Sequence, residues 1–432
     1  MTTAAFSLRR FILSVATLGA SISDELYSLL IDEKLTLHFI SAPNIFTGGP
    51  LTILISCLES IPSELRQESS RVVVICGTHA YRNISLPPGA YPLCLPLSRT
   101  SWLIRLYYER IGFFVLTSLC NVHTWLSLHD FTSNVKAKIR VTYYHNPAPF
   151  WTPQFFQAIL APGLLLWKFF YFPLVVWGLD RNDALIVQQY WIKHEFTKRF
   201  PDLNVLVLPP IAGGQLLPAQ ASVSQSSSSL NHNLVFPNHP QSSCPPPPGF
   251  IFFYPCIPRI FKNIELAIES VLEANRAGFS CSLLLTITGD ENLYSRFLRW
   301  RYSKLPFVKF IGYQTRFEMD ALYRSVDALL FTSLLETWGL PLSEAQFYRL
   351  PIVAIDLPYV RETANGYPLL FLSGDKKVLN LSSFYDVFKN DTLAKLRTSS
   401  LASSILVSEG YSQIDWNCLW QAVASPCRPF LS

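Results

Sequence analysis

Along the second half of the chain, short runs of consecutive apolar residues alternate with longer stretches that are apolar on one side only. Positions 250–254, 282–288, 308–311, 328–332 and 351–355 read as strands, and helix signals lie between them. Asn263 stands where a helix running through Leu272 would be capped. Thr315 and Glu318 have the spacing of a capping box. Strands that are apolar at every position are buried on both faces, and strands separated by helices pair in parallel. The first half repeats this arrangement more loosely, with strands predicted at 35–41, 72–76, 122–128, 139–144, 184–188 and 205–208.

Between the halves, residues 209–248 include four consecutive serines and end in four consecutive prolines. Such a composition buries too little surface to offset its ordering entropy, so it reads as a linker or mobile loop. The predicted organisation is therefore α/β. A helical extension (1–34) precedes a first parallel-sheet domain (35–208); the linker follows, then a second such domain (249–410). A last helix (411–432) is expected to pack back on the first domain. Two domains of this kind form a cleft at the carboxyl ends of their strands, where the ligands of such sheets bind.

Composition changes this picture in two ways. The chain has 432 residues, of which 50% are apolar and 14% aromatic, which excludes wholesale disorder. Only 15% are charged, against a usual value of about 25%, and this raises the expectation of contact with a membrane surface. The net charge of +5 suits an anionic ligand or lipid headgroups and is too mild for a nucleic-acid binder. Nine cysteines occur without a CxxC, mostly in apolar runs, and read as reduced core residues of a cytoplasmic protein.

Two segments carry membrane or targeting signals. Arg9-Arg10 followed by apolar residues 11–20 reads either as a short signal peptide or as an extra helix before the first strand. Residues 161–179 carry a single charge, Lys168, and read as a segment dipping into one leaflet or as a buried helix. Residues 102–119 fit interfacial contact and an ordinary amphipathic core helix equally well.

The most informative stretch runs from Thr332 to Ala345. Pro341 is placed in the first turn of a helix that must stop before Pro351. Glu336 then lies in the loop after a strand and Glu344 on the early part of the helix. Gly339 allows close approach of the backbone to a ligand, and the amides of Gly339 and Leu340 at a helix N-terminus suit a diphosphate. Two carboxylates flanking a phosphate-binding turn are what a nucleotide sugar needs.

This stretch resembles the E-x7-E signature of the retaining glycosyltransferases of family 4, which have the GT-B fold of two Rossmann-like domains. The similarity continues through residues 349–354 and Arg361-Glu362, and back to Phe310-Ile311-Gly312-Tyr313, Leu322-Tyr323 and Asp327-Ala328. Arg349-Leu350 departs from it, since many relatives have a small residue and glycine before the proline. Residues 254–263 resemble the family segment that sets an arginine and a lysine on the donor diphosphate, which implies Arg259 and Lys262. Asn44 to Pro50, with Gly48 and Gly49, is similar to the family's glycine loop. Ser127-Leu128-His129-Asp130 resembles its histidine loop, with His145 the second candidate. Residues 187–193 match a further segment, read as structural.

The resemblance implies an enzyme that moves a hexose from a GDP- or UDP-sugar to a hydroxyl of a growing glycan or lipid-linked oligosaccharide, in surface-polysaccharide biosynthesis. It implies bacterial members, with mannose-type donors one choice. Together with the low charge, the apolar aromatic segments and the cysteine pattern, it leads to the expectation of a cytoplasmic protein peripheral on the inner face of the membrane, and the mild net charge to that of no nucleic-acid partner. In this reading Glu336 positions the donor sugar, Glu344 holds the ribose, Arg259 and Lys262 neutralise the diphosphate, and His129 faces the sugar. No GxGxxG opens the first domain, there is no P-loop motif, and no D-x-D pair appears, so no metal or cofactor is expected beyond the donor. Two rival readings are a non-catalytic nucleotide-sugar-binding subunit of a membrane assembly and another GT-B activity, such as an epimerase or phosphorylase.

Overall fold

The computed structural model describes residues 3–46, 48–66, 69–78, 84–153, 155–210, 249–367, 369–372 and 415–424. The chain divides into two units, residues 1–152, 163–213 and 409–432 in the first, and 153–162 and 214–408 in the second. Most of the expected linker, the region 373–410 of the expected second domain, and Cys244 and Cys427 lie outside the described residues.

Among the described residues, the first unit holds seven strands: β1 Thr36–Ala42, β2 Ser70–Cys76, β3 Ala90–Cys94, β4 Val122–Ser127, β5 Ile139–Tyr144, β6 Ala184–Val187 and β7 Val205–Val207. All pair in parallel, in the order β3-β2-β1-β4-β5-β6-β7. β1, β2, β4, β5 and β6 are buried along nearly their whole length, as the uninterrupted apolar runs require. β3, which the sequence pattern does not reveal, is an edge strand carrying Pro92; a proline is tolerated there because the edge needs no ladder donor on that side.

Helices cover both faces of this sheet. At the amino end, Thr3–Ala16 and Asp24–Ile31 are helical, and Leu13, Ala16, Leu26 and Leu30 lie in one core cluster with Leu37, Phe39 and Trp125. The segment around Arg9-Arg10 is thus folded as a helix on the first unit. On another face, Trp416–Ala424 is a helix whose Trp416 stacks on Tyr143 at 5.5 Å and whose Trp420 Nε1 donates to the Cys57 carbonyl.

The second unit holds β8 Phe250–Tyr254, β9 Cys281–Leu285, β10 Val308–Phe310, β11 Ala328–Phe331, β12 Ile352–Ile355 and β13 Leu369–Leu372, again all parallel, in the order β10-β9-β8-β11-β12-β13. β13 was not expected from the sequence, being a second edge strand of only four residues. The helix Ile264–Arg276 buries Ile264, Ala267, Ile268, Val271 and Ala274, a stripe at helical spacing. Asn263 precedes it but does not cap it. Its φ is +52° and its side chain accepts no cap hydrogen bond; the Ile264 amide donates instead to the Tyr294 hydroxyl at 3.2 Å. Thr315 and Glu318 form the expected capping box.

The helical stretch 162–181 differs from the buried-helix reading. Tyr171 and Val175 are buried, but Phe169, Phe170 and Trp177 are largely exposed, and 27% of its apolar window is buried. Among the described residues it is the one helix long and apolar enough to cross a membrane. The seven described cysteines are free thiols.

Candidate active site

In a parallel sheet whose strand order reverses direction, the loops at the reversal diverge and leave a crevice at the carboxyl ends of the strands. In the second unit the reversal lies between β8 and β11, and the two loops leaving those strands carry most of the predicted residues. β8 runs into a turn containing Arg259 and Lys262, and β11 into the loop containing Glu336 and Gly339. The loops are tied together. Thr332 Oγ1 donates to the Asn263 carbonyl at 2.8 Å, the Leu334 amide to the Phe261 carbonyl at 2.7 Å, and the buried Tyr254 hydroxyl to the Lys262 carbonyl at 2.6 Å.

This lacing brings Lys262 Nζ onto Glu336 Oε1 in a direct ion pair, with both side chains mostly shielded from solvent. The two residues are 74 positions apart in sequence. Arg259, three residues before Lys262, has no ion-pair partner among the described residues, and surrounding protein atoms lower its pKa from 12.5. Cys256 lies on the same turn, where burial pushes its thiol up to about 12 and leaves it unreactive.

Gly339 has φ +84° and precedes the helix Leu340–Phe347, with Pro341 in its first turn. A side chain at Gly339 would meet Leu342 Cδ1 at 3.1 Å in a backbone conformation that other residues rarely adopt. The loop is braced by the Tyr359 hydroxyl on the Ser333 carbonyl at 2.5 Å and by Trp338 Nε1 on Ser343 Oγ at 2.9 Å. The result is a helix N-terminus with its orphan amides beside the Lys262–Glu336 pair, an arrangement suited to an anion.

Glu344, one turn into that helix, accepts from Arg316 Nη1 at 2.5 Å and from the buried Tyr323 hydroxyl at 2.7 Å. A carboxylate offers about four acceptor sites, so two remain for ligand hydroxyls. Arg316 escapes a sequence reading because Asp320, four residues on, makes it look like one half of a surface pair on its own helix, and it does contact Asp320 at 3.4 Å.

In the first unit the strand order reverses between β1 and β4, and the same rule places the relevant loops after those strands. Gly48 and Gly49 open the helix Gly48–Glu59 after β1; Gly48 has φ +67° and open space where a side chain would be. Thr47, between Phe46 and that helix, lies outside the described residues.

His129 follows β4 and is buried. Its Nε2 lies 3.0 Å from Ser41 Oγ, on β1, and 3.4 Å from Glu109 Oε1, while its Nδ1 has no partner in hydrogen-bonding geometry. Burial, reinforced by Arg105, holds its pKa well below the usual imidazole range, so the ring is neutral near pH 7. Its neighbour Asp130 has φ +69° and accepts from the His145 amide at 2.7 Å and the Tyr171 hydroxyl at 2.8 Å. His145 thus lies beside Asp130, its Nδ1 3.5 Å from the carboxylate.

Glu109 and Arg105 were not singled out from the sequence. Both lie on the helical stretch 102–118, which widens to a π-helical turn at Tyr108–Gly112. Their i, i+4 spacing reads as a solvent-facing salt pair. Instead Arg105 Nη2 donates to the His129 carbonyl at 3.2 Å. Asn44, with its amide oxygen turned to the guanidinium, accepts from Arg105 Nε at 2.9 Å. Arg105 thereby joins the loop before Gly48 to the loop of His129.

A family model described as glycosyl transferases group 1 matches residues 239–376, the segment that carries Arg259, Lys262, Glu336, Gly339 and Glu344. No curated protein sequence matches the chain. Among solved structures the chain is similar to sucrose-phosphate synthase from Thermosynechococcus elongatus (TM-score 0.54, 15% identity, covering 85% of this chain and 94% of that one). It is similar to Anabaena Alr3699/HepE in complex with UDP-glucose (0.51, 14%, 90% and 98%). It is also similar to WaaG, a glycosyltransferase involved in lipopolysaccharide biosynthesis (0.50, 12%, 86% and 94%). The chain spans about half the length of two other structures it matches, 53% of the pneumococcal O-GlcNAc transferase GtfA and 54% of TarM. At these identities the likeness is one of fold, that of the GT-B glycosyltransferases.

Proposed function

We propose that the protein is a metal-independent, retaining glycosyltransferase that moves a hexose from a GDP- or UDP-sugar to a hydroxyl of a growing glycan or lipid-linked oligosaccharide in surface-polysaccharide assembly. The observation that carries the reading is the Lys262–Glu336 pair set beside Arg259 and the Gly339 helix N-terminus, inside the matched domain. UDP-glucose in the structure of Alr3699/HepE supports the donor class, and the involvement of WaaG in lipopolysaccharide biosynthesis supports the acceptor class.

In the reaction, the bond from the anomeric carbon to the diphosphate breaks and its electron pair passes to the departing phosphate oxygen. Arg259, Lys262 and the amides of Gly339 and Leu340 neutralise that growing charge; preorganised donors aimed at developing charge are commonly the largest catalytic term. Glu336 accepts hydrogen bonds from the sugar and Glu344 from the ribose. Gly48 and Gly49 supply a close backbone approach, and His129 hydrogen-bonds the transferred sugar. The acceptor oxygen bonds to the anomeric carbon on the face the phosphate leaves, and its proton goes to that phosphate.

Location at the inner face of the cytoplasmic membrane belongs to the same proposal, supported by the exposed Phe169, Phe170 and Trp177 and by the low charge content. The test is a thermal-shift screen over nucleoside diphosphates and their sugars, followed by nucleotide release with candidate acceptors. Stabilisation by UDP or GDP that is lost in Lys262→Ala, and turnover lost in Glu336→Gln at unchanged melting temperature, are the expected results. Nucleotide binding without release on adding any acceptor would favour the non-catalytic reading.

A further inference from the structure

The acid beside His129 has a stated place in the fold but no role in the reaction outlined above. Glu109 lies on the π-helical turn, and both its main chain and its side chain are fastened to the loop that follows His129. The Asn134 amide donates to the Glu109 carbonyl at 2.8 Å, and Asn134 Nδ2 to the Arg110 carbonyl at 3.0 Å. Arg110 Nη1 donates to the Thr132 carbonyl at 3.3 Å. Ser133 Oγ donates to Glu109 Oε2 at 2.7 Å; Ser133 Oγ also contacts Ser127 Oγ at 3.1 Å, and Ser127 Oγ accepts from Trp125 Nε1 at 3.0 Å. One carboxylate oxygen is therefore pinned, and the other, Oε1, is buried without a hydrogen-bond partner and lies 3.4 Å from His129 Nε2, whose closer neighbour is Ser41 Oγ at 3.0 Å. π-turns in α-helices are frequent at functional sites, and here the widened turn carries an acid inward to a histidine.

We propose that Glu109 is a positioning residue for His129: it accepts a hydrogen bond from Nε2–H, which keeps the ring proton on that nitrogen, and so presents the Nδ1 lone pair as a fixed acceptor for a ligand hydroxyl. This rests on the role given to His129 under Proposed function. Which ring nitrogen of a neutral imidazole is protonated is set by what the other faces. Ser41 Oγ, at 3.0 Å, leaves the choice open because a hydroxyl both donates and accepts. An ionised carboxylate only accepts, and the buried Oε1 lacks a donor, so a proton on Nε2 is the one that would satisfy it. Nδ1, buried and without a protein partner, is then the one ring atom left to meet a ligand.

Arg105 and Arg110 on the same helix, and Asp130 and His145 from the loops after β4 and β5, are the other charged or titratable groups around the pair. Arg105 and Arg110 favour the ionised acid; burial opposes it and sets its pKa at about 7.

The test reads the tautomer directly. Histidine side-chain 15N spectra of the full chain at pH 8, with the His129 signals assigned by their absence in His129→Asn, are expected to show a protonated Nε2 and a bare Nδ1. In Glu109→Gln, whose amide no longer demands a proton from the ring, the signals are expected to move to the Nδ1–H form or to a mixture. An unchanged tautomer in a folded Glu109→Gln overturns the proposal. If that variant does not fold, Ser133→Ala, which frees the pinned oxygen, is expected to give the mixture, and an unmixed Nε2–H spectrum there overturns it equally. Nucleotide release from UDP-glucose or GDP-mannose gives the second readout. About a tenfold or greater loss of kcat with KM within twofold is expected, the size seen when a partner that orients a functional histidine is removed. A shifted tautomer with full turnover would leave Glu109's positioning role standing and remove His129 from the reaction.

Discussion

At the scale of single residues, the buried charges make the strongest statements. Glu109 titrates at about 7 in the fold, against an ordinary value of 4.5, first because it is buried, with Arg105, Ser133 and Arg110 pulling the other way. A carboxyl whose folded pKa is raised contributes stability that is fully present below its unfolded value and is lost as pH rises through the folded one. Wild-type protein should therefore lose stability through this group between about pH 4.5 and 7, and Glu109→Gln should lose less. Melting curves at pH 5 and pH 7.5 for both proteins measure it, and equal pH differences would contradict the burial argument. Tyr323 offers a test of a different kind. Tyr323→Phe removes one of the two donors on Glu344 and should raise the KM for donor several-fold, in line with about 1 kcal/mol for one hydrogen bond, with kcat nearly unchanged. Steady-state kinetics separates that outcome from a fall in kcat alone, which would place Glu344 in the chemical step.

At the scale of elements, the strand-to-helix loops of the second unit are specified by short local signals, and that is why they were legible. Gly339, Pro341 and the apolar run of β11 lie within fourteen residues, and each constrains the backbone on its own. Gly339→Ala should cost about 1–2 kcal/mol, the penalty for placing a side chain at φ +84°, and should weaken nucleotide binding as well. Chemical denaturation and a nucleotide titration would check the two parts. Losing Thr315 to alanine should cost about 0.5–2 kcal/mol through the capping box, and it loosens the start of the helix that carries Arg316 and Tyr323.

What the sequence hid were features set by partners far along the chain. Glu109 reads as a surface acid because nothing near it announces Ser133 or His129. The widened turn that swings it inward has no local sequence signal. Asn263 reads as a cap because a neighbouring asparagine usually is one, whereas Tyr294, thirty residues away, takes the position. Strands β3 and β13 were missed for local reasons: β3 carries Pro92 in its middle, and β13 is a run of only four residues.

At the scale of the whole molecule, the first unit is not a continuous piece of the chain. Trp416, Leu419 and Trp420 belong to the same core cluster as Ile40, Leu54, Cys57 and Leu126. Trp420→Ala should cost about 3–5 kcal/mol, as large aromatic truncations in cores do, and that loss should fall on the first unit. Limited proteolysis should then cut within 1–210 first, while the nucleotide-dependent stabilisation of the second unit persists; cleavage that starts within 249–372 would argue against it. The same stitch bears on how the protein is made. While a ribosome is still reading the codons of the second unit, the first is already outside the exit tunnel yet lacks three of the side chains that seal its interior. It must wait, partly open, until residues 416–420 have been translated, and during that interval a chaperone has the most to protect.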